Sequence, residues 1–211
     1  MINIAIFGFG VVGGGTAEVL TENASLIASR VGEPINIKYI LDLRDFPDSP
    51  FRDCVVHDID VILNDPEVKI CAELMGGSHP AYEFSVRAMK AGKSVVTSNK
   101  EVVATFGPEL LKTADECGVR YLFEASVGGG IPVIHPIGSC LTANDISEVD
   151  GILNGTTNYI LTEMFSKGKD FDSALKEAQE KGYAERNPSA DVDGIDACRK
   201  ICILAALCFG K

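Results

Sequence analysis

The chain has 211 residues, of which 46% are hydrophobic and 23% are charged, a composition typical of a globular protein rather than a disordered one. Asp and Glu number 30 against 19 for Lys and Arg, and this acidic balance, a formal charge of −11, argues against binding to nucleic acid or to an anionic membrane. No apolar run approaches the roughly 18 residues of a transmembrane helix, and no basic segment typical of a secretory signal precedes the first apolar run. The seven cysteines form no Cys-x-x-Cys pair, which favours a reduced, cytoplasmic environment.

The chain before residue 124 alternates short apolar runs with helical patterns. This alternation predicts βαβ units around a parallel sheet. A Pro- and Asp-rich stretch at 44–57 is predicted to be a surface loop. The expected helices are 13–29, 80–91 and 108–117, and the expected strands are 2–7, 35–41, 68–74, 94–97 and 119–123.

The alternation stops after residue 124. Three consecutive glycines at 128–130 and then Pro132 interrupt the pattern, so we place a domain boundary near residue 131. The sequence predicts a Rossmann-type α/β domain over 1–131 and an α+β substrate and dimerisation domain over 132–211. In the second domain we expect a strand at 146–153 and helices at 156–165, 173–181 and 195–207.

The last predicted helix is almost wholly apolar over 201–207. A helix of this kind needs cover on several sides, and few elements in the second domain are available to provide it. We therefore expect either that this domain is incomplete at its C-terminal side or that a partner subunit covers the helix.

A glycine loop follows the first predicted strand. Gly8, Gly10 and Gly13 fit the pattern Gly-x-Gly-x-x-Gly between a strand and a helix, with Val11 and Val12 as the intervening residues. In dinucleotide-binding proteins these glycines permit the tight turn, the close approach to the pyrophosphate and the close packing of helix and strand. The loop predicts binding of NAD or NADP, the alternative being a glycine-rich turn without a ligand.

The choice between the two dinucleotides stays open. Asp42 ends the second strand and could accept a hydrogen bond from the ribose 2′-hydroxyl of NAD, whereas Arg44 could meet the 2′-phosphate of NADP. Both residues could equally belong to a solvated loop.

Two groups of charged residues are candidates for the chemistry. Lys100 follows the fourth strand, at the sheet edge where open α/β proteins bind ligands, although a lysine there is often only a surface residue. In the second domain Asp193, Asp196 and Lys200 recur at helical spacing just before the apolar run. This pattern is typical of an exposed ion-paired face, or of a lysine held by carboxylates so that it can protonate an alkoxide.

Several longer motifs resemble homoserine dehydrogenase, in order and spacing, along essentially the whole chain. They include Glu-Leu-Met-Gly-Gly at 73–77 and Gly-Lys-Ser-Val-Val-Thr-Ser-Asn-Lys at 92–100. The others are Glu-Ala-Ser-Val-Gly-Gly-Gly-Ile-Pro at 124–132, Gly-Ile-Leu-Asn-Gly-Thr-Thr-Asn-Tyr at 151–159, and the run from Gly-Tyr-Ala-Glu at 182–185 to Lys200.

The resemblance implies reversible, NAD(P)-linked interconversion of L-homoserine and L-aspartate 4-semialdehyde by a cytoplasmic homodimer. It implies that Lys200 donates a proton to the aldehyde oxygen and that Lys100 lies beside the nicotinamide and the substrate. It further implies that Ser98 and Gly182 contact the cofactor and that homoserine is held by Thr156, Glu185, Asp191 and Asp196. The backbone carbonyls implied as ligands of a sodium ion are those of Glu124, Val127, Gly129 and Ile131.

Two other hypotheses compete with this one. The first is another Rossmann oxidoreductase of the sugar-dehydrogenase type, which also places a lysine after a comparable strand; the cluster from Glu185 to Lys200 argues against it. The second is a dinucleotide-binding module without catalysis. Members of the resembled family continue beyond the catalytic helix, so we expect the activity of a 211-residue chain to be in question.

Overall fold

The computed structural model describes residues 1–210, which form two compact units. The first unit comprises Met1–Pro132 and the second begins at Val133.

The first unit is built on a six-stranded sheet in which every pairing is parallel, as predicted. The strands are β1 Ile2–Phe7, β2 Ile35–Leu41, β3 Val55–Val56, β4 Val68–Glu73, β5 Ser94–Thr97 and β6 Tyr121–Leu122. Their order in the sheet is β3-β2-β1-β4-β5-β6, so the connections reverse direction between β1 and β4. This order is that of a doubly wound dinucleotide-binding sheet, whose ligands bind at the reversal.

Helices connect the strands of this unit. The region predicted as one helix at 13–29 is two helices, because the chain leaves the helical conformation at Asn23. The last helix begins at Lys100 rather than at Pro108, because the Asn99 side chain accepts a hydrogen bond from the Val102 N–H and caps the earlier turn. The helices are α1 Val11–Glu22, α2 Ala24–Val31, α3 Ile59–Leu63, α4 Ala81–Lys90 and α5 Lys100–Cys117.

The register of the central strands aligns their carboxyl ends. Phe7 of β1 pairs with Glu73 of β4, and Glu73 pairs in turn with Thr97 of β5. All three residues are buried, as is usual for parallel strands covered on both faces. The loops that leave these strands therefore begin side by side at one edge of the sheet.

The described residues of the second unit form helices and connecting loops, and the predicted strand at 146–153 is wrong. A strand persists only beside a partner strand, and no strand forms between 133 and 210 to pair with this segment. The α+β description of this domain therefore does not hold for the residues described. The helices are α6 Ile134–Ser139, α7 Gly155–Lys167, α8 Phe171–Glu180, α9 Ser189–Val192 and α10 Ile195–Phe209.

The apolar helix α10 is only partly covered within its own unit. Ile203 and Leu204 are buried, whereas Ile195, Leu207 and Phe209 keep between 36% and 43% of their surface exposed. None of the helices in residues 1–210 is long and apolar enough to cross a membrane.

Candidate cofactor and substrate sites

The glycine loop forms a tight turn between β1 and α1. Gly8 has φ +90°, and a Cβ at this position would lie 2.8 Å from the Met75 Cγ. A Cβ at Gly13 would overlap the Gly8 carbonyl oxygen. Two of the three predicted glycines are therefore required by the packing of the loop itself, independently of any ligand.

The middle glycine has a different environment. Apart from Gly10 and its chain neighbours, no atom of residues 1–210 lies within 4 Å of a Cβ built at Gly10, and the adjacent Val11 is 94% exposed. Gly10 is the N-cap of α1, where the first backbone N–H groups of the helix have no intrahelical partner. The open space thus lies beside a helix N-terminus, which attracts anions such as a pyrophosphate.

A cavity of about 400 Å³ lies beside the loop, and Gly8, Met75 and Gly76 contribute to its wall. Asp42 and Arg44 line it as well. Its position between the ends of β1 and β4 is the position at which open α/β sheets bind ligands.

Asp42 and Arg44, which the sequence offered as alternatives, form one ion pair. The Arg44 Nε donates to the Asp42 Oδ1 at 3.0 Å, and its Nη2 donates to the Asp42 Oδ2 at 3.0 Å. The Phe9 N–H also donates to the Asp42 Oδ2, at 2.8 Å, so this carboxylate fixes the glycine loop. The Arg44 guanidinium holds the pKa of Asp42 well below its usual range. The Asp42 carboxylate and the largely exposed Arg44 guanidinium therefore lie side by side at this end of the cavity.

The loop after β5 carries the next two predicted residues. Asn99 is buried, and its Nδ2 donates to the Gly77 carbonyl oxygen at 2.7 Å. Ser98 precedes it and is half-buried, and Lys100 is the first residue of α5. The Asn99 side chain, which caps α5, therefore links the start of this helix to the loop after β4.

In the second unit Asn154 joins two of the predicted substrate residues. Its Nδ2 donates to the Asp191 Oδ1 at 2.7 Å and to the Asp196 Oδ2 at 3.0 Å. Its Oδ1 accepts from the Thr157 N–H at 2.8 Å, which caps α7 and fixes the orientation of the amide. Asp196 in turn pairs with Lys200. The short helix α9 and the long helix α10 thus meet the start of α7 at one polar cluster.

Lys200 is held at two points. Its Nζ lies 2.9 Å from the Asp196 Oδ2 and donates to the Leu153 carbonyl oxygen, also at 2.9 Å. The Lys200 side chain is only 16% exposed and that of Asp196 only 6%. An ammonium group has three protons, so two fixed acceptors leave one N–H for a further oxygen atom.

The remaining predicted substrate and cofactor residues lie outside this cluster. The Thr156 Oγ1 donates to the Tyr183 carbonyl oxygen at 2.7 Å. Glu185 is exposed, and among the described residues its carboxylate makes no hydrogen bond to the cluster; its carbonyl oxygen accepts from the Gln179 side chain at 3.1 Å. Gly182 occupies the turn after α8, with φ +75°.

The segment predicted to hold sodium is a compact loop. Glu124, the first residue of a 3₁₀ turn at Glu124–Ser126, uses its carbonyl oxygen to accept from the Val127 N–H at 3.4 Å. A Cβ at Gly128 would overlap the Ile131 carbonyl oxygen, so glycine is needed for the loop to close. Backbone oxygens are suitable donors for a hard cation. No group of three or more His, Cys, Asp and Glu side chains within residues 1–210 is arranged to hold a metal.

The sequence interpretation missed the role of Asn154. An asparagine followed by Gly-Thr-Thr at the start of a helical pattern is an N-cap signal, so the residue could have been placed at the helix start. Its bonds to two carboxylates could not have been inferred, because they depend on how α9 and α10 pack against α7.

Comparison with known proteins gives one consistent family. Residues 8–124 match the family model described as "Homoserine dehydrogenase, NAD binding domain", and residues 132–211 match that of homoserine dehydrogenase. The homoserine dehydrogenases of Synechocystis sp. and Pseudomonas aeruginosa are 44% and 46% identical to the chain, over 99% of its length.

Solved structures agree with the sequence relatives. A homoserine dehydrogenase from Thiobacillus denitrificans superposes with a TM-score of 0.90 at 42% identity, over 99% of this chain and 49% of its own. A hyperthermophilic archaeal homoserine dehydrogenase in complex with NADPH gives a TM-score of 0.86 at 31% identity, over 100% of this chain and 70% of its own. The chain spans 48% of the length of the Synechocystis and Pseudomonas relatives. With both of its units matched in order, the chain belongs to the homoserine dehydrogenase family.

Proposed function

We propose that this protein interconverts L-homoserine and L-aspartate 4-semialdehyde with NAD or NADP, a step on the route to threonine and methionine. The observation that carries the proposal is the cluster in which Asn154 joins Asp191 and Asp196 to the fixed ammonium group of Lys200. A half-buried lysine whose ammonium group is fixed by a carboxylate and a carbonyl is suited to proton transfer, which favours an enzyme over a binding module without catalysis.

The proposed roles follow from the charges. Lys200 stabilises the oxygen that becomes negative when the aldehyde is reduced and then donates its proton to that oxygen. In the opposite direction the same side chain takes the proton from the hydroxyl of homoserine. Asp191 and Asp196 are the carboxylates of the cluster suited to orient the substrate ammonium, with Thr156 and Glu185 as further substrate contacts.

The first unit fits a dinucleotide. Gly10 leaves open space at the N-terminus of α1, and the adjoining cavity ends at Asp42 and Arg44. The bound dinucleotide would supply or accept the hydride. We assign residues 1–131 to cofactor binding, with contacts from Gly8 to Gly13, Ser98 and Lys100, and residues 132–211, including Gly182, to the catalytic domain.

We further propose a sodium ion, a homodimer and a cytoplasmic location. The carbonyl groups of Glu124, Val127, Gly129 and Ile131 would ligate the ion, and the tight closure of the loop at Gly128 supports this assignment. The partly exposed apolar residues of α10 support association with a second copy. Light scattering coupled to gel filtration tests the dimer.

The enzymatic proposal is tested by a spectrophotometric assay of the full-length protein. Homoserine with NAD or with NADP should produce the absorbance of the reduced nicotinamide, whereas sugar alcohols should not. Turnover of a sugar but not of homoserine would favour a sugar-dehydrogenase-type enzyme. Cofactor binding without turnover of either would favour the non-catalytic module.

A further inference from the structure

One buried carboxyl group has no role in the function proposed above. Glu73 is the last residue of β4 and is 0% exposed. It lies between β1 and β5 in the sheet, paired in register with Phe7 and Thr97. Its side chain is therefore at the reversal of the strand order, beneath the loops that leave β4 and β5.

The two oxygens of Glu73 connect these loops. The Met75 N–H donates to the Oε1 at 2.9 Å, and the Thr97 hydroxyl donates to the Oε2 at 2.5 Å. The Thr97 oxygen also accepts from the Asn99 N–H at 2.9 Å. A continuous series of hydrogen bonds thus runs from the loop after β4 to the residue that precedes Lys100.

Asn99 closes the network from the other side. Its Nδ2 donates to the carbonyl oxygens of Met75 at 3.3 Å and Gly77 at 2.7 Å, and its Oδ1 caps α5 through Val102. Met75 and Gly76 form part of the wall of the 400 Å³ cavity. The network therefore fixes the backbone of one cavity wall and the start of the helix that carries Lys100.

Stability alone does not account for a carboxylate at this position. Within residues 1–210 Glu73 forms no ion pair, and burial raises its pKa. An ionised group whose folded-state pKa is raised reduces stability at neutral pH, because the unfolded chain holds the charge more favourably. A glutamine of the same shape would avoid burying a charge but would leave the Thr97 hydroxyl without its acceptor, so the carboxylate is best explained by the loops that it joins.

We propose that Glu73 is a positioning residue for the cofactor site: its carboxylate holds the loop at 75–77 and the start of α5 in the arrangement that accepts the dinucleotide. The dinucleotide part of this inference rests on the proposed function. The hydrogen-bond part does not, because it concerns the backbone of the unliganded protein.

The experiment compares Glu73→Gln and Glu73→Leu with the unaltered full-length protein. Glutamine keeps an acceptor for the Met75 N–H but leaves the Thr97 hydroxyl without its acceptor, whereas leucine removes both. We expect NAD(P)H affinity, measured by the fluorescence of the reduced nicotinamide, to fall at least ~10-fold in Glu73→Leu and by less in Glu73→Gln. The thermal midpoint of Glu73→Gln should fall less than that of Glu73→Leu, because glutamine keeps one of the two hydrogen bonds and removes the buried charge.

A matched control and a double mutant isolate the network. Ser85 is a buried hydroxyl of the same unit without a hydrogen-bond partner in the described structure, so Ser85→Ala should leave affinity unchanged. Thr97→Val removes the hydroxyl that joins Glu73 to Asn99. Because both changes interrupt one network, the loss in the double variant Glu73→Gln with Thr97→Val should be smaller than the product of the single losses.

Amide hydrogen exchange without cofactor separates this inference from the proposed function. Exchange in Glu73→Gln should accelerate at 75–78 and 99–103 and stay unchanged elsewhere in the first unit. Unchanged exchange in these two segments would overturn the inference, whether or not the protein binds NAD(P)H. The inference would also be overturned if exchange in these segments of Glu73→Gln accelerated while its NAD(P)H affinity stayed unaltered. A lower thermal midpoint together with faster exchange throughout the first unit would overturn it as well. An unaltered protein that binds no dinucleotide would instead refute the proposed function, and exchange alone would then decide whether Glu73 holds the two loops.

Discussion

Two substitutions of Lys200 distinguish the effect of its positive charge from its role as a proton donor. Lys200→Arg retains a cation beside Asp196, but a guanidinium does not release its proton in a protein. Lys200→Ala removes the charge as well. It takes the ammonium group away from the Asp196 carboxylate, whose side chain is only 6% exposed. Removing one partner of a fully buried pair costs roughly 3–5 kcal/mol, and the 16% exposure of the Lys200 side chain makes the lower end the better expectation here.

The two variants should therefore share a catalytic defect but differ in stability. Loss of a positioned general acid lowers kcat ~100- to 10,000-fold, so we expect both to fall in this range. Only Lys200→Ala should lower the thermal midpoint substantially. Cofactor affinity should remain within about twofold in both, because the glycine loop belongs to the first unit.

Initial rates with homoserine and NAD(P), with cofactor titrations and thermal unfolding of the same preparations, measure these quantities. Lys176→Ala is the matched control, since Lys176 is an exposed lysine of the same unit, and it should behave as the unaltered protein. Near-normal turnover in Lys200→Arg would refute the assignment of the proton to Lys200 and leave Lys100 as the next candidate.

Four further predictions test other parts of the account. Gly10→Val places a side chain in the open space at the start of α1 and should weaken dinucleotide binding at least ~10-fold, about 1.4 kcal/mol, in a fluorescence titration, whereas Gly14→Ala, which also meets no atom within 4 Å, should not. Arg44→Ala should raise the KM for NADP more than that for NAD, and equal changes would remove Arg44 from the ribose site. Glu185→Gln should act mainly on the KM for homoserine, through loss of an ammonium partner, and a change confined to kcat would contradict this role. Lys169 and Lys181 lower the pKa of Glu177 to about 2, so the stability that this carboxylate contributes should be present above about pH 4.5 and lost as the pH falls towards 2; Glu177→Gln should flatten that part of a thermal-unfolding profile, and an unchanged profile would show that the charge contributes nothing.

The sequence was informative where structure depends on local pattern. Strands β1, β2, β4, β5 and β6 were predicted because each lies in a short, mostly apolar run between helical patterns and turn signals. The glycine loop was recognisable because its turn requires residues without a Cβ. By contrast β3 is only Val55–Val56, inside a Pro- and Asp-rich stretch, and too short a pattern to recognise.

The errors come from interactions that are distant in sequence. The segment at 146–153 has the composition of a strand but gains no partner strand in the described residues, so its local preference is not realised. Spacing on α10 suggested the pairing of Asp196 with Lys200, but Asp191 joins them through Asn154, 37 residues earlier in the chain. The Glu73 network is equally non-local, since it links the ends of β4 and β5 through their register.

Isotopic labelling of homoserine follows the hydrogen that is transferred to the cofactor. The full-length protein is incubated with L-homoserine in which both hydrogens of the hydroxyl-bearing carbon are deuterium and with oxidised NAD(P), and the reduced cofactor is analysed by mass spectrometry. We expect reduced NAD(P) that carries one deuterium, formed together with aspartate 4-semialdehyde, because the hydride leaves that carbon while the Lys200 side chain takes the hydroxyl proton. Failure to form reduced NAD(P), or reduced NAD(P) without the label, would contradict the account.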